Sequence, residues 1–492
     1  MHSYLTLEAK SKTMGMRLLL IGLFLLGGLE MWAQPHNVLV TGAVRNTITE
    51  VVVLEINKRY INNTVEEISA QVNDQQQFGL TCRIEVPQLV KLRYGKKSCE
   101  LFLQPNDTLH IAFDGQLFPE QLRFGQHGKY NNYFWQQYRE KFPTDPNIFN
   151  YRQYRKGYYY YNVHNDLDKK MQAQSPKEFL DWTEEQWRRK QHLYQLFTAD
   201  PTQPLSPEFQ TFVQTEFDYK KWLLQLTYGD VYGSRHQLAP SFLNFVDSVL
   251  VLKDGALGNS YYRAFVQAVI HHHCRQLPAE QQSVYEQLYQ YSKINLEGRT
   301  KYFMMAHFVA TALRKENPEV VLPLYEDFIE ENPYYELDRL VLDPFQKASK
   351  MIAGMPAPDF SLLDLEGNKV QLSQFKGKVV YLDFWATWCR PCIEKIEKLQ
   401  EFEPKFKEKE VVFIHISLDR TPAQWRATIQ EKQLEGRHLY FDPTLSTITK
   451  DYDVVSVPKF FLITKTGNFA YTPSSFDSSE LELALLKLLQ EE

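Results

Sequence analysis

Two cysteines, Cys389 and Cys392, stand two residues apart in the stretch VVYLDFWATWCRPCIEKIEKL, residues 379–399. The 492-residue chain holds five cysteines in all, the others being Cys82, Cys99 and Cys274. A pair at this spacing can cycle between dithiol and disulfide, supply half of a zinc site, or form a purely structural crosslink. A structural zinc site uses about four ligands, and no second CxxC or histidine pair lies near this one. A crosslink over two intervening residues closes almost no loop and stabilises little. A peroxide-reducing cysteine is a further alternative, but the Pro/Thr pattern that precedes one is missing.

The surroundings favour redox exchange. The apolar run Val379–Trp385 reads as a buried strand and CIEKIEKLQEFEPKF as a helix. The cysteines therefore open a helix, where uncapped backbone N–H groups and the positive end of the dipole stabilise a thiolate. The thiolate is the nucleophile in disulfide exchange. Pro391 suits the first turn, where its missing N–H costs nothing.

The elements that must hold this pair begin near residue 351. FSLLDL and KVQL read as a hairpin, EVVFIHISL as a second buried strand and PAQWRATIQEK as a helix. PKFFLITKTGNFA gives two strands around a Thr466-Gly467 turn, and SELELALLKLLQ closes with a helix. Alternating strands and helices followed by a hairpin and a helix predict an α/β sandwich around a mixed sheet.

DFWATWCRPC resembles the active site of thioredoxin-like proteins. The wider pattern, APDFSLLDLEGNKVQLSQFKGKVVYLDFWATWCRPC followed by VSVPKFFLITKTG, is similar to the TlpA/ResA-type redoxins, which are exported thiol–disulfide oxidoreductases. The resemblance implies a thioredoxin fold over residues 351–492, with Cys389 as attacking thiol and Cys392 as resolving thiol. It implies that Pro458, after Val457, is a cis-proline beside the disulfide and that Trp388 flanks the cysteines. Asp383 matches the buried carboxylate that accepts the resolving thiol's proton; a strand residue bonded to backbone or water is the alternative. His415 stands where the thioredoxin pattern often has Lys. Strand alternation puts it on the face of Phe413 and Ser417. If its strand neighbours that of Asp383, the two meet and imidazole shares the proton handling; a satisfied core histidine is the competing reading. Arg390 replaces a usual Gly and adds a positive charge beside Cys389. By the same resemblance the site needs no flavin or metal, its partners are protein thiols and disulfides, and its electrons come from a membrane donor of the DsbD/CcdA type.

The rest of the chain predicts a multidomain protein: a small all-β N-terminal domain, an α-helical middle region and the C-terminal α/β thioredoxin fold. Residues 35–115 carry short β runs such as NVLVTGAV and TEVVVLEI, expected to form an antiparallel sandwich or barrel, with Cys82 and Cys99 at opposite ends of a hairpin where they either pair or stay buried thiols. Residues 118–350 read as helical, with Ser175-Pro176 and Ser206-Pro207 as two helix starts. In HHHC, residues 271–274, successive helical residues diverge by about 100°, which argues against a shared metal. YYYY, residues 158–161, reads as packing or loop tyrosines, with a sugar- or partner-binding surface as alternative.

Residues 1–33 read as a signal peptide, with LLLIGLFLLGG after Arg17 as its apolar core. The periplasm or cell envelope is the expected location. The net charge of −5 and pI near 6.3 give no electrostatic case for nucleic acid. The competing functional reading is a partner- or sugar-binding protein that carries the redoxin domain as an accessory unit.

Overall fold

The computed structural model describes residues 37–59, 64–125, 128–143, 150–153, 159–162, 165–233, 238–250, 252–275, 283–472 and 478–490. The expected signal peptide lies outside them. No described helix is long and apolar enough to cross a membrane.

The N-terminal region is two four-stranded sheets packed face to face. Alternation in VLVTGAVR sends Val38, Val40 and Val44 inward against Leu54, Leu80, Leu92 and Ile111. Val38–Arg45 pairs antiparallel with Gln77–Cys82 but parallel with Thr108–Asp114, so the domain is not wholly antiparallel as expected. The hairpin placing Cys82 opposite Cys99 does not exist. Cys82 ends a strand of one sheet, Cys99 lies in Lys97–Leu103 of the other, and their sulfurs are not joined.

The middle region is mainly helical. The side chain of Ser175 accepts from the backbone N–H of Glu178, whose carboxylate accepts from the Ser175 N–H, closing a capping box ahead of Pro176–Thr198. Ser206 caps Pro207–Tyr232 by accepting from the Phe209 N–H at 3.2 Å, without the reciprocal bond. A small hairpin of Asn150–Gln153 and Tyr159–Asn162 interrupts the helices; Tyr158 lies outside the described residues. The three histidines of HHHC go to three places. His271 meets the Phe308 ring edge-on, His272 bonds Asp230 at 2.7 Å and His273 bonds Asp247 at 2.9 Å.

The C-terminal region is built on a seven-stranded mixed sheet. Its central strand, Val379–Trp385, is buried at every position because packed side chains cover both faces. Val380, Leu382 and Phe384 point to one core with Ile414 and Ile416. Val379 and Tyr381 point to the other, under Leu399 and Phe402 of the helix Arg390–Phe402. Alternation therefore sends Asp383 beneath that helix. Val411–Ser417 runs parallel to the central strand, with His415 directly opposite Asp383.

Candidate active site

The dithiol sits where the central strand hands over to the helix Arg390–Phe402. Cys389 is the N-cap residue, and its Sγ accepts from the Cys392 N–H at 3.3 Å. Pro391 occupies the first turn. The two cysteines are joined as a disulfide. Cys389 keeps 5% of its surface exposed and Cys392 none, so the order of accessibility is as expected, although Cys389 is itself largely covered. Trp388 beside them is 69% exposed. The Arg390 guanidinium, expected to favour the Cys389 thiolate, also pairs with Glu394 one turn on at 2.9 Å, with both side chains largely exposed.

The loop before the pair is tied down from the neighbouring strand end. Buried Asp419 accepts from the Thr387 backbone N–H at 3.0 Å, the Thr387 hydroxyl at 2.7 Å and the Ser417 hydroxyl at 2.7 Å. The Val457–Pro458 peptide is cis. Val457 packs against the cluster that contains both cysteines, and Pro458 is exposed. The far side of Pro458 and the strand Lys459–Ile463 faces the turn between helices Gly298–Lys315 and Pro318–Glu331, across a small cavity lined by Lys315, Asn317, Phe460 and Thr472. Asn317 Nδ2 donates to the Thr472 carbonyl at 2.7 Å, so the helical region is fastened beside the exchange site.

Beneath the helix lies a buried charged group. Asp383 Oδ1 accepts from Lys395 Nζ, and Oδ2 faces His415 Nδ1 at 3.4 Å. The other ring nitrogen, His415 Nε2, meets Glu403 Oε1 at 3.0 Å. Burial by itself would lower the pKa of His415, but the hydrogen bonds and charges of Asp383 and Glu403 outweigh it and raise the value from 6.5 to about 9. The two carboxylates thus favour the imidazolium form of His415 over the neutral one. His438 stacks on it with ring centres 5.0 Å apart, and burial together with the His415 charge pushes His438 down to about 3.

Trp388, Cys389 and Cys392 therefore lie at the start of the helix Arg390–Phe402 with Val457 packed against the pair, while Asp383 and His415 meet beneath the same helix, tied to it through Lys395, three residues on from Cys392. Lys395, Glu403, Thr387 and Asp419 were not anticipated. A signal existed for Lys395, which lies three residues after Cys392 and so on the same helix face. Glu403 follows the helix end with no pattern to mark it. Among the described residues no group of three His, Cys, Asp or Glu side chains converges as a metal site.

The AhpC/TSA family profile matches residues 353–472. The thiol-disulfide oxidoreductase ResA of Bacillus cereus is 39% identical over 126 residues, which span 25% of this chain and 70% of that protein. The thioredoxin-like protein YneN of Bacillus subtilis is 33% identical over 120 residues, 23% of this chain and 66% of its own length. A thiol-disulfide oxidoreductase from Bacteroides fragilis with a solved structure is 27% identical; the match covers 27% of this chain and 98% of that one, with a TM-score of 0.25.

Proposed function

The chain belongs to the ResA-type thiol–disulfide oxidoreductases of the AhpC/TSA family, and we propose that it is an exported reductase of protein disulfides. Its redoxin domain is a thiol–disulfide oxidoreductase. Reduced Cys389 attacks a substrate disulfide and is held in a mixed disulfide while one substrate thiolate leaves. Cys392 then gives its proton to Asp383 and attacks Cys389, which releases the second substrate thiolate and leaves the Cys389–Cys392 disulfide. A membrane dithiol donor of the DsbD/CcdA type restores the pair with two electrons. Export rests on the apolar segment of residues 18–28 behind Arg17.

What carries the roles is the unequal setting of the two sulfurs. Cys389 keeps the accessible edge of the pair, next to exposed Trp388, while Cys392 is covered within the cluster that includes Trp385, Ile396 and Val457. The reducing direction is supported by the modest stabilisation available to a Cys389 thiolate. One backbone N–H reaches it, and the adjacent Arg390 is engaged by Glu394. A less stabilised thiolate makes the disulfide the more stable partner, so the dithiol tends to give electrons away.

Cys392→Ser is expected to accumulate mixed disulfides with substrate proteins and Cys389→Ser is not; equal trapping by both would overturn the roles. A reduction potential of about −270 mV supports reduction, and one of about −120 mV would reverse the direction.

A further inference from the structure

We propose that protons displaced at the dithiol leave the protein through a buried line of side chains, Asp383–His415–Glu403, whose outer end is Glu403. The inference rests on the reading that Asp383 takes the proton of Cys392.

The geometry is that of a passage. Asp383 and His415 have no exposed surface, whereas the Glu403 side chain keeps 16%. His415 touches one carboxylate with each ring nitrogen, Asp383 through Nδ1 and Glu403 through Nε2. The second oxygen of Asp383 is held by Lys395, whose side chain is 6% exposed and also lies over the Phe460 ring. The remaining faces of His415 meet His438, whose Nε2 is bonded to the Glu435 carbonyl, and the ring of Tyr381. Gly436 closes the outer side. A Cβ there would stand 3.3 Å from both Glu403 Oε2 and His415 Cδ2, so the backbone is packed directly against the two groups.

Charge balance gives this line its role. Two carboxylates, Asp383 and Glu403, face two cations, Lys395 and His415, and the buried group is neutral as it stands. When the Cys392 thiol loses its proton to Asp383, the group would carry a net positive charge in a medium where an unbalanced charge is costly. Neutrality returns if His415 passes its Nε2 proton to Glu403, which hands it to water. In that step the Cys392–Cys389 bond forms, the bond from Cys389 to the substrate sulfur breaks, and the electron pair leaves on the substrate thiolate. One proton enters the group at Asp383 and one leaves at Glu403. When a dithiol donor later reduces the disulfide, Asp383 returns a proton to Cys392 and one from water re-enters through Glu403 to His415. Glu403 is on this account a positioning residue, acting on the reacting sulfur only through His415 and Asp383.

The test uses the reduced full-length protein and 4,4′-dithiodipyridine, an aromatic disulfide that releases one thiopyridone when Cys389 attacks and a second when Cys392 resolves the adduct. Glu403→Gln should slow the second release relative to the first by about tenfold or more across pH 6–9, flatten its pH profile, and lower the His415 titration midpoint followed by NMR of labelled histidine. Glu403→Asp should restore much of the rate and the profile, which a merely structural loss would not. Asp383→Asn is measured alongside. If it leaves the second release unchanged, the role given to Asp383 is wrong and the proton line falls with it. If Asp383→Asn slows that release while Glu403→Gln alters neither its rate, nor its pH profile, nor the His415 titration, the exit through Glu403 is overturned and the role of Asp383 stands.

Discussion

Raising the pH from 6.5 to 9 should weaken the redoxin domain through His415. In the unfolded chain this imidazole titrates near 6.5, and in the fold it is held up at about 9 by Asp383 and Glu403. A group whose folded pKa is raised stabilises the fold fully below its unfolded pKa and loses that contribution as pH rises through the folded one. The window is therefore pH 6.5 to 9. At about 1.36 kcal/mol per pH unit, the interval between the two values corresponds to about 3 kcal/mol, of which roughly 2–3 kcal/mol disappears by pH 9. Lys315 and Lys459, at the contact with the helical region, are pushed down to about 8 by burial and act with the opposite sign. The informative quantity is thus the difference between wild type and His415→Gln, which keeps hydrogen-bonding capacity without the charge. Equilibrium urea titrations of the oxidised full-length protein at pH 6.5, 8 and 9 provide it, with unfolding of this domain read by a brief amide-exchange pulse over peptides spanning residues 379–417. The stability advantage of wild type over His415→Gln should shrink by roughly 2–3 kcal/mol between pH 6.5 and 9. An advantage that stays constant, or grows with pH, would refute the assignment of a charged His415 between two carboxylates.

Lys395→Met leaves Asp383 with one cationic neighbour instead of two and should cost about 3–5 kcal/mol, whereas adding Asp383→Asn restores charge balance and should recover much of the loss. Strict additivity in the same urea titrations would show that the two residues are not coupled. Thr387→Val removes the hydroxyl that donates to buried Asp419 at 2.7 Å. It should cost about 1–3 kcal/mol and speed amide exchange in the Thr387–Cys389 loop; unchanged exchange there would mean that Asp419 does not hold the loop.

The parts of the site that were legible before the fold was seen share a physical basis, which is that each was encoded within one element or one repeat of its period. A strand, a turn and a helix start sit within ten residues around Cys389, so the position of the pair followed from local pattern. Ser175-Pro176 and Ser206-Pro207 announced their helices because a cap acts on N–H groups two or three residues away. The facing of Asp383 and His415 needed one further assumption, parallel neighbouring strands, and the register supplies it. What was not legible depends on which surfaces meet. Val38–Arg45 pairs with Thr108–Asp114 across more than sixty residues of chain, and no local signal distinguishes that parallel partner from an antiparallel one. Gln77–Cys82 buries Phe78, Leu80 and Cys82 but reads weakly because Gly79 and Thr81 separate them. Lys395 illustrates the limit most directly. Helical spacing from Cys392 put it on the inward face, yet a lysine on a helix ordinarily reads as solvated, because its amine is costly to bury without a partner. Its partner is on a strand and that partner's second partner on another, while Glu403 comes from the turn after the helix. The charge state of the group belongs to the set of four, and no window of sequence short enough to be read locally contains them all.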